Sequence, residues 1–201
     1  RGIQVTTGKT NHERIIEVGK ILKSRMEINC ATQSMDDNVL DKIKRKNLTA
    51  QQYWELRQHT DEANMRMIGE IIVPLPGETK ETFFDGVKMV ADIGIEMINI
   101  YTTMMLNGTD LNSKITREKY KMQTMFRCLP RQFGTYRGRS VFEVEEVCIS
   151  TNTMNFDSYL KCRNHSFVVK LLAQQIFSPV QKLAKKFGIS WFDITRDVDD
   201  I

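Results

Sequence analysis

The sequence lacks most of the features that announce a function at once. Its four cysteines, at positions 30, 128, 148 and 162, form no CxxC pair, and their spacings match no zinc pattern. No apolar run approaches the roughly 20 residues that span a bilayer. The start is polar and has no apolar stretch of the signal-peptide kind. Long blocks of like charge are missing too: 29 Lys and Arg face 25 Asp and Glu, a net charge of +4. Cations sit beside acids, as in Asp41-Lys42-Ile43-Lys44-Arg45. Such a surface permits an anionic partner without demanding one. Thr7-Gly8-Lys9-Thr10 lacks the first glycine of a phosphate-cradling loop. No nucleophilic triad, internal repeat or low-complexity segment stands out, and His12, His59 and His165 are isolated in sequence.

What is there is ordinary in bulk. Apolar residues make up 41% and charged residues 27% of 201, the balance of a soluble globular protein. A disordered tail and a collagen-like fibre are excluded. The length leaves room for a hydrophobic core in one domain, or in one domain with an appendage. Eleven methionines and unpaired cysteines fit a reducing compartment, so a cytoplasmic protein is expected. Each cysteine reads as a small buried hydrophobe. Arg1 leads straight into the strand-like run Gly2 to Thr7, which reads as a piece cut from something longer.

Strand and helix signals alternate over the first half. Ile3 to Thr6 is a β-branched run, and Thr10 or Asn11 can cap the helix that carries Ile15, Val18 and Leu22. Met26 to Thr32 alternates apolar and polar residues as a strand does. Ser34 or Asp36 caps a helix with Val39, Leu40 and Ile43 on one face, ending near Asn47, and Thr49-x-x-Gln52 has capping-box spacing for the next. Met67 to Val73 is the strongest strand, stopped by Pro74 and Pro76. A helix follows with Phe83, Val87 and Val90, closed by Gly94. Ile95 to Thr102 is the next strand. This β-α-β-α-α-β-α-β order predicts an α/β fold with a parallel sheet. Ligands of such sheets sit at the carboxyl ends of the strands. Beyond residue 110 the character changes. Residues 113 to 128 read as helix, 130 to 140 as loop, 141 to 151 as strand or helix, and 156 to 187 as mostly helix. The division is thus 1–110 for the sheet and 111–201 for a mainly helical extension.

Candidate chemistry clusters at those strand ends. Pro74-Leu75-Pro76-Gly77-Glu78-Thr79 links a buried strand to a helix, with Gly77 free to turn and Glu78 placed for the positive end of the helix dipole. An ordinary βα turn accounts for the same residues. Glu70 lies on the strand face shared by Ile68 and Ile72, where a carboxylate needs a ligand or an ion-pair partner. Gln33 and Ser34 can hydrogen-bond hydroxyl groups, and Ser34 can equally be a helix cap. Arg45-Lys46-Asn47 reads as a solvated helix terminus. Arg127, Arg131, Tyr136 and Arg137 read as surface residues, with an anionic substrate as the alternative.

Taken in order, Ala31 to Leu40, Ile43 to Asn47, Glu70 to Thr79, and Tyr101 leading to Gly108-Thr109 resemble the second half of a radical S-adenosylmethionine (radical SAM) core. The branch resembled is the one that often carries an upstream cobalamin-binding domain. The resemblance covers residues 1 to about 140. It implies a partial TIM-type (βα) barrel in which residues 3–6, 27–33, 67–73 and 97–102 are the third to sixth strands. It also implies a four-iron, four-sulfur cluster held by a CxxxCxxC loop, and S-adenosylmethionine split on it to a 5′-deoxyadenosyl radical. The cofactor carries the hard chemistry and the protein positions it.

By that resemblance Gln33 and Ser34 meet the ribose or methionine part of the cofactor. Ile72 packs on adenine, with Gly77 and Glu78 closing the same motif. The backbone after Tyr101 lies near the adenine edge, and Glu70 meets a polar part of cofactor or substrate. The family pattern often has Gly where this chain has Glu70 and Pro74. The CxxxCxxC loop is not in the sequence, so the chain alone is expected neither to hold the cluster nor to react, and no residue is assigned a catalytic or metal-binding role. The expected parent acts on a small-molecule substrate together with its missing amino-terminal half, with methyl transfer where a cobalamin domain precedes. The rivals are a tRNA-methylthiolating radical SAM enzyme, which needs an appended RNA-binding barrel, and a non-catalytic α/β scaffold. Nucleic acid is not the expected partner.

Overall fold

The structure is a computed structural model that describes residues 3–5, 12–22, 26–62, 65–95 and 97–199. Strands β1 (Ile3–Val5), β2 (Met26–Gln33), β3 (Arg66–Val73) and β4 (Met97–Thr102) lie in the spatial order 1-2-3-4, all parallel. The helices α1 (His12–Leu22), α2 (Asp37–Lys42), α3 (Ala50–Glu62) and α4 (Lys80–Asp92) connect them. Sequential parallel order with right-handed crossovers places these helices on one face. The α/β reading with a parallel sheet holds. The described strands form an open sheet, with β1 and β4 at its ends.

The core sits between that face and the helices. Ile28, Met67, Ile71, Val73, Phe83, Val87, Val90 and Ile95 are buried together. Gly69 lets α4 and the turn after it approach the sheet: a Cβ there would stand 2.9 Å from Val90 and 3.3 Å from Ile95. Local signals set the helix ends. Gln52 N–H donates to the Thr49 hydroxyl (3.2 Å) and Thr49 N–H to Gln52 Oε1 (2.9 Å), which is the expected capping box. Asp36, not Ser34, caps α2, accepting from Val39 N–H at 2.9 Å. Gly94 ends α4 at φ 86°, with Ile95 N–H reaching back to the Val90 carbonyl, the Schellman arrangement. The Thr10 or Asn11 cap lies outside the described residues.

The second half departs from the sequence reading. Between residues 113 and 150 the one α-helix is Lys114–Lys119 (α5), and the chain then enters β5 (Gln123–Tyr136) and β6 (Arg139–Ser150), an antiparallel hairpin. The expected helix over 113–128 is therefore helix only over Lys114–Lys119 and strand from Gln123 on, and the expected loop over 130–140 shrinks to Arg137-Gly138. Both have positive φ, 49° and 74°, which is the primed two-residue turn that suits strand twist. The helices α6 (Phe156–Leu172), α7 (Ser178–Lys186) and α8 (Trp191–Asp199) follow.

These elements finish the sheet at β4. Met105 N–H donates to the Glu146 carbonyl and Cys148 N–H to the Thr103 carbonyl, both at 2.9 Å, so β6 pairs with the chain just past β4. Alongside, Arg163 of α6 donates to the Ile100 carbonyl (3.2 Å) and Lys170 to Asn99 Oδ1 (2.6 Å). Polar groups of a sheet end are thereby satisfied within the chain.

Candidate functional site

At the end of β2 the register slips and Gln33 takes φ 58°. Ser34 N–H closes a three-residue turn on the Thr32 carbonyl at 2.8 Å. A γ-turn with positive φ is rare and strained, and a non-glycine residue held there stores about 1–3 kcal/mol. Two side chains that follow α2 hold this turn. Arg45 donates to the Ala31 carbonyl, and Asn47 Nδ2 to the Ser34 carbonyl at 2.7 Å. Arg45 and Asn47 are thus not a solvated helix terminus. Ser34 itself is buried, its hydroxyl accepting from Asp36 N–H.

At the end of β3, Leu75 to Glu78 form a turn with Pro76 second and Gly77 third at φ 82°, closed by Glu78 N–H on the Leu75 carbonyl (3.0 Å). That is type II chemistry, in which the third residue needs positive φ. Glu78 does not enter the first turn of α4. It precedes the cap Thr79, is 1% exposed, and accepts from Leu75 N–H at 3.1 Å. Burial pushes its carboxyl up to about 8; the Leu75 bond opposes this and the Asp36 charge adds to it. Two hydroxyls tie the turn to other elements: Thr103 donates to the Pro74 carbonyl (2.6 Å) and Thr153 to the Glu78 carbonyl (2.7 Å). Lys42 lies over Gly77, where a Cβ would come within 2.5 Å of its Nζ.

Glu70, Ile72 and Tyr101 share the sheet face turned away from the helices. Ile71 and Val73 are fully buried while Glu70 and Ile72 between them are half-buried. Across the ladder Glu70 aligns with Asn99 and Ile72 with Tyr101. Tyr101 is 46% exposed, and partial burial, then the Glu70 charge, raises its hydroxyl above the ordinary value. The structure therefore gathers three of the sequence-derived candidates on one open face. It sets Gln33 with Ser34, and Gly77 with Glu78, at the strand ends beside it. Thr103 and Thr153 are additions that no sequence signal singled out, and Arg45 and Asn47, noted in the sequence, have a role it did not show, because each acts across the chain on a backbone carbonyl.

This half-buried face, with an apolar residue beside an aromatic one and a carboxylate next to them, can pack a flat ring and meet a polar group beside it, as an adenine nucleoside would require. An iron–sulfur cluster does not fit. Such clusters take several thiolates at one point, and here Cys30, Cys148 and Cys162 are buried on different elements while Cys128 is exposed. Among the described residues no group of three or more His, Cys, Asp or Glu side chains could hold a metal. Burial also pushes the Cys30 and Cys162 thiols up to about 12. Among the described residues no helix is long and apolar enough to cross a membrane.

The sequence is similar to part of two curated methyltransferases, one of them named as a cobalamin-dependent radical SAM enzyme. It is 28% identical over 168 residues to the cobalamin-dependent radical SAM methyltransferase TokK of Streptomyces tokunonensis, covering 80% of this chain and 24% of TokK. It is 27% identical over 165 residues to the 2-(S-pantetheinyl)-carbapenam-3-carboxylate methyltransferase of Streptantibioticus cattleyicolor, with the same coverage, 80% and 24%. The chain thus spans about a quarter of the length of the curated relatives it matches. No family model matches it.

Proposed function

We propose that this chain is the S-adenosylmethionine-binding second half of the catalytic barrel of a cobalamin-dependent radical SAM methyltransferase. The observation that carries this reading is the open sheet face bearing Glu70, Ile72 and Tyr101 beside two tightly closed strand-end turns, in a chain similar to two methyltransferases, one named as a cobalamin-dependent radical SAM enzyme. Ile72 and the backbone after Tyr101 hold the adenine. Gln33 holds the ribose or methionine part, while Ser34, buried with its hydroxyl accepting from Asp36 N–H, shapes the turn beneath it; Glu70 takes a polar group of cofactor or substrate. Gly77 and Glu78 shape the turn rather than touch the ligand, since Glu78 is buried in it. Bound there, S-adenosylmethionine supplies the adenosyl and methyl groups of the chemistry. The cluster ligands belong to the parent's remaining sequence, and cobalamin to a preceding domain. The substrate is a small molecule.

The test uses the cluster-loaded parent protein. Equilibrium dialysis of labelled S-adenosylmethionine reads binding, and 5′-deoxyadenosine formation under reductant reads turnover. Ile72→Asp puts a charge where adenine packs and is expected to weaken binding about tenfold or more, a loss of about 1.4 kcal/mol. A parent that binds no S-adenosylmethionine, or an Ile72→Asp protein that folds and binds as the parent does, overturns the reading.

A further inference from the structure

A second cavity, of about 480 Å³, opens between α3, the turn after α4, and the α7–α8 pair. It lies far from the strand-end site along the sheet axis. Helix α4 runs back against the strands, so Asp92 to Ile95 stand at their amino ends, opposite the turns around Gln33 and Gly77. The volume falls within the range of small-molecule sites.

Its lining is chemically selective. Both tryptophans of the chain, Trp54 and Trp191, line it, with Ile95 and Ala184 adding apolar wall. Indoles offer flat faces on which an aromatic ring stacks. The acids at the rim are already paired. Asp61 lies 2.7 Å from the Arg57 guanidinium, and Asp92 lies 2.7 Å from Lys88. The lysines are not: Lys182 and Lys185, one turn apart on α7, have no ion-pair partner among the described residues. The charge left for a ligand is therefore positive. From two indoles and two uncommitted ammonium groups around one cavity, we infer that this is a binding site for a small aromatic anion, a flat ring carrying a phosphate or a carboxylate. The role follows from a cavity outside the proposed S-adenosylmethionine site and stands or falls independently of it.

Because Trp54 and Trp191 are the chain's two tryptophans, fluorescence excited selectively in tryptophan reports on ligands that reach these two indoles. The 201-residue chain is titrated at low salt with AMP and with 4-hydroxybenzoate. Their neutral counterparts, adenosine and phenol, are titrated in parallel. At least one anion is expected to quench fluorescence with saturation below about 1 mM and to bind about fivefold or more tightly than its neutral counterpart. Which anion saturates tells phosphate from carboxylate. The exposed double variant Lys182→Ala/Lys185→Ala should lose that preference while its thermal unfolding stays unchanged, and added salt should weaken binding to the native chain. The inference fails if neither anion saturates, if the neutral counterpart binds equally, or if the double variant binds as the native chain does.

Discussion

A buried carboxyl at the turn after β3 makes stability depend on pH in an unusual direction. Glu78 is 1% exposed, and its carboxyl is pushed up to about 8 from 4.5. Between those values the folded chain keeps a proton that the unfolded chain has released. Stability is then fullest below about pH 4.5 and falls as pH rises to about 8. The slope approaches about 1.4 kcal/mol per pH unit, so the loss by pH 7 is on the order of 3 kcal/mol. That is a large part of the 5–15 kcal/mol typical of a domain.

Glu78→Gln removes the titration and keeps an oxygen for Leu75 N–H. Urea unfolding of both proteins at pH 5, 6, 7 and 8 should show the two converging near pH 5. By pH 8 the Gln variant should be the more stable by about 3 kcal/mol or more. Comparing the pair cancels every other titrating group. Glu78→Ala should instead cost about 1–3 kcal/mol relative to Glu78→Gln at each pH, since Leu75 N–H loses its acceptor inside the turn. If the difference between the native chain and Glu78→Gln stays constant from pH 5 to 8, the carboxyl is ionised in the fold, and the reading of this turn as a neutral, buried clasp is wrong.

Two other perturbations probe the turns and the hairpin. Gln33→Gly should relieve the positive φ at the end of β2 and raise stability by up to about 1 kcal/mol in urea melts, while a loss would show that the Gln33 side chain makes up for the strain. Glu146 accepts from both Arg117 Nη atoms (2.7 and 2.6 Å) and from the Thr124 hydroxyl, which hold its carboxyl down to about 2. Its stabilisation is present above about pH 4.5 and lost as pH falls towards 2. Glu146→Gln should therefore cost about 1–2 kcal/mol at neutral pH and almost nothing near pH 2, and a cost that does not shrink on acidification would refute this.

The parallel half of the fold was legible because its signals are local and agree with one another. Met67 to Val73 is a buried run stopped by Pro74, and Thr49, Gln52 and Gly94 mark helix ends by hydrogen bonds within a few residues. The strand-end candidates were legible for the same reason, since strand order alone puts Gln33, Gly77 and Tyr101 near one end. What the sequence hid is non-local. Arg45 turns inward to a carbonyl of β2, and Glu78 is buried rather than presented to solvent at a helix start. Each depends on how far another element leans over it.

The hairpin shows the limit of periodicity most sharply. A strand betrays itself by alternation because one face is buried and the other is wet. Along most of β5 and β6 neither face is buried. Phe126, Phe133 and Phe142 are 69%, 79% and 63% exposed, on the same sheet face as the exposed Val144. With no inside to select for, apolar residues also fall on the other face, at Met125 and Val141, and this blurs the period of two. The turn adds to the disguise: Arg137-Gly138 adopts the positive φ values that Asn-Gly or Asp-Gly usually advertise. Burial returns only where β6 docks beside β4, at Val147, Cys148 and Ser150. Glu146, Val147 and Cys148 satisfy a strand by pairing with residues more than 40 positions earlier, so the segment's structure is set by the sheet it joins and not by its own pattern.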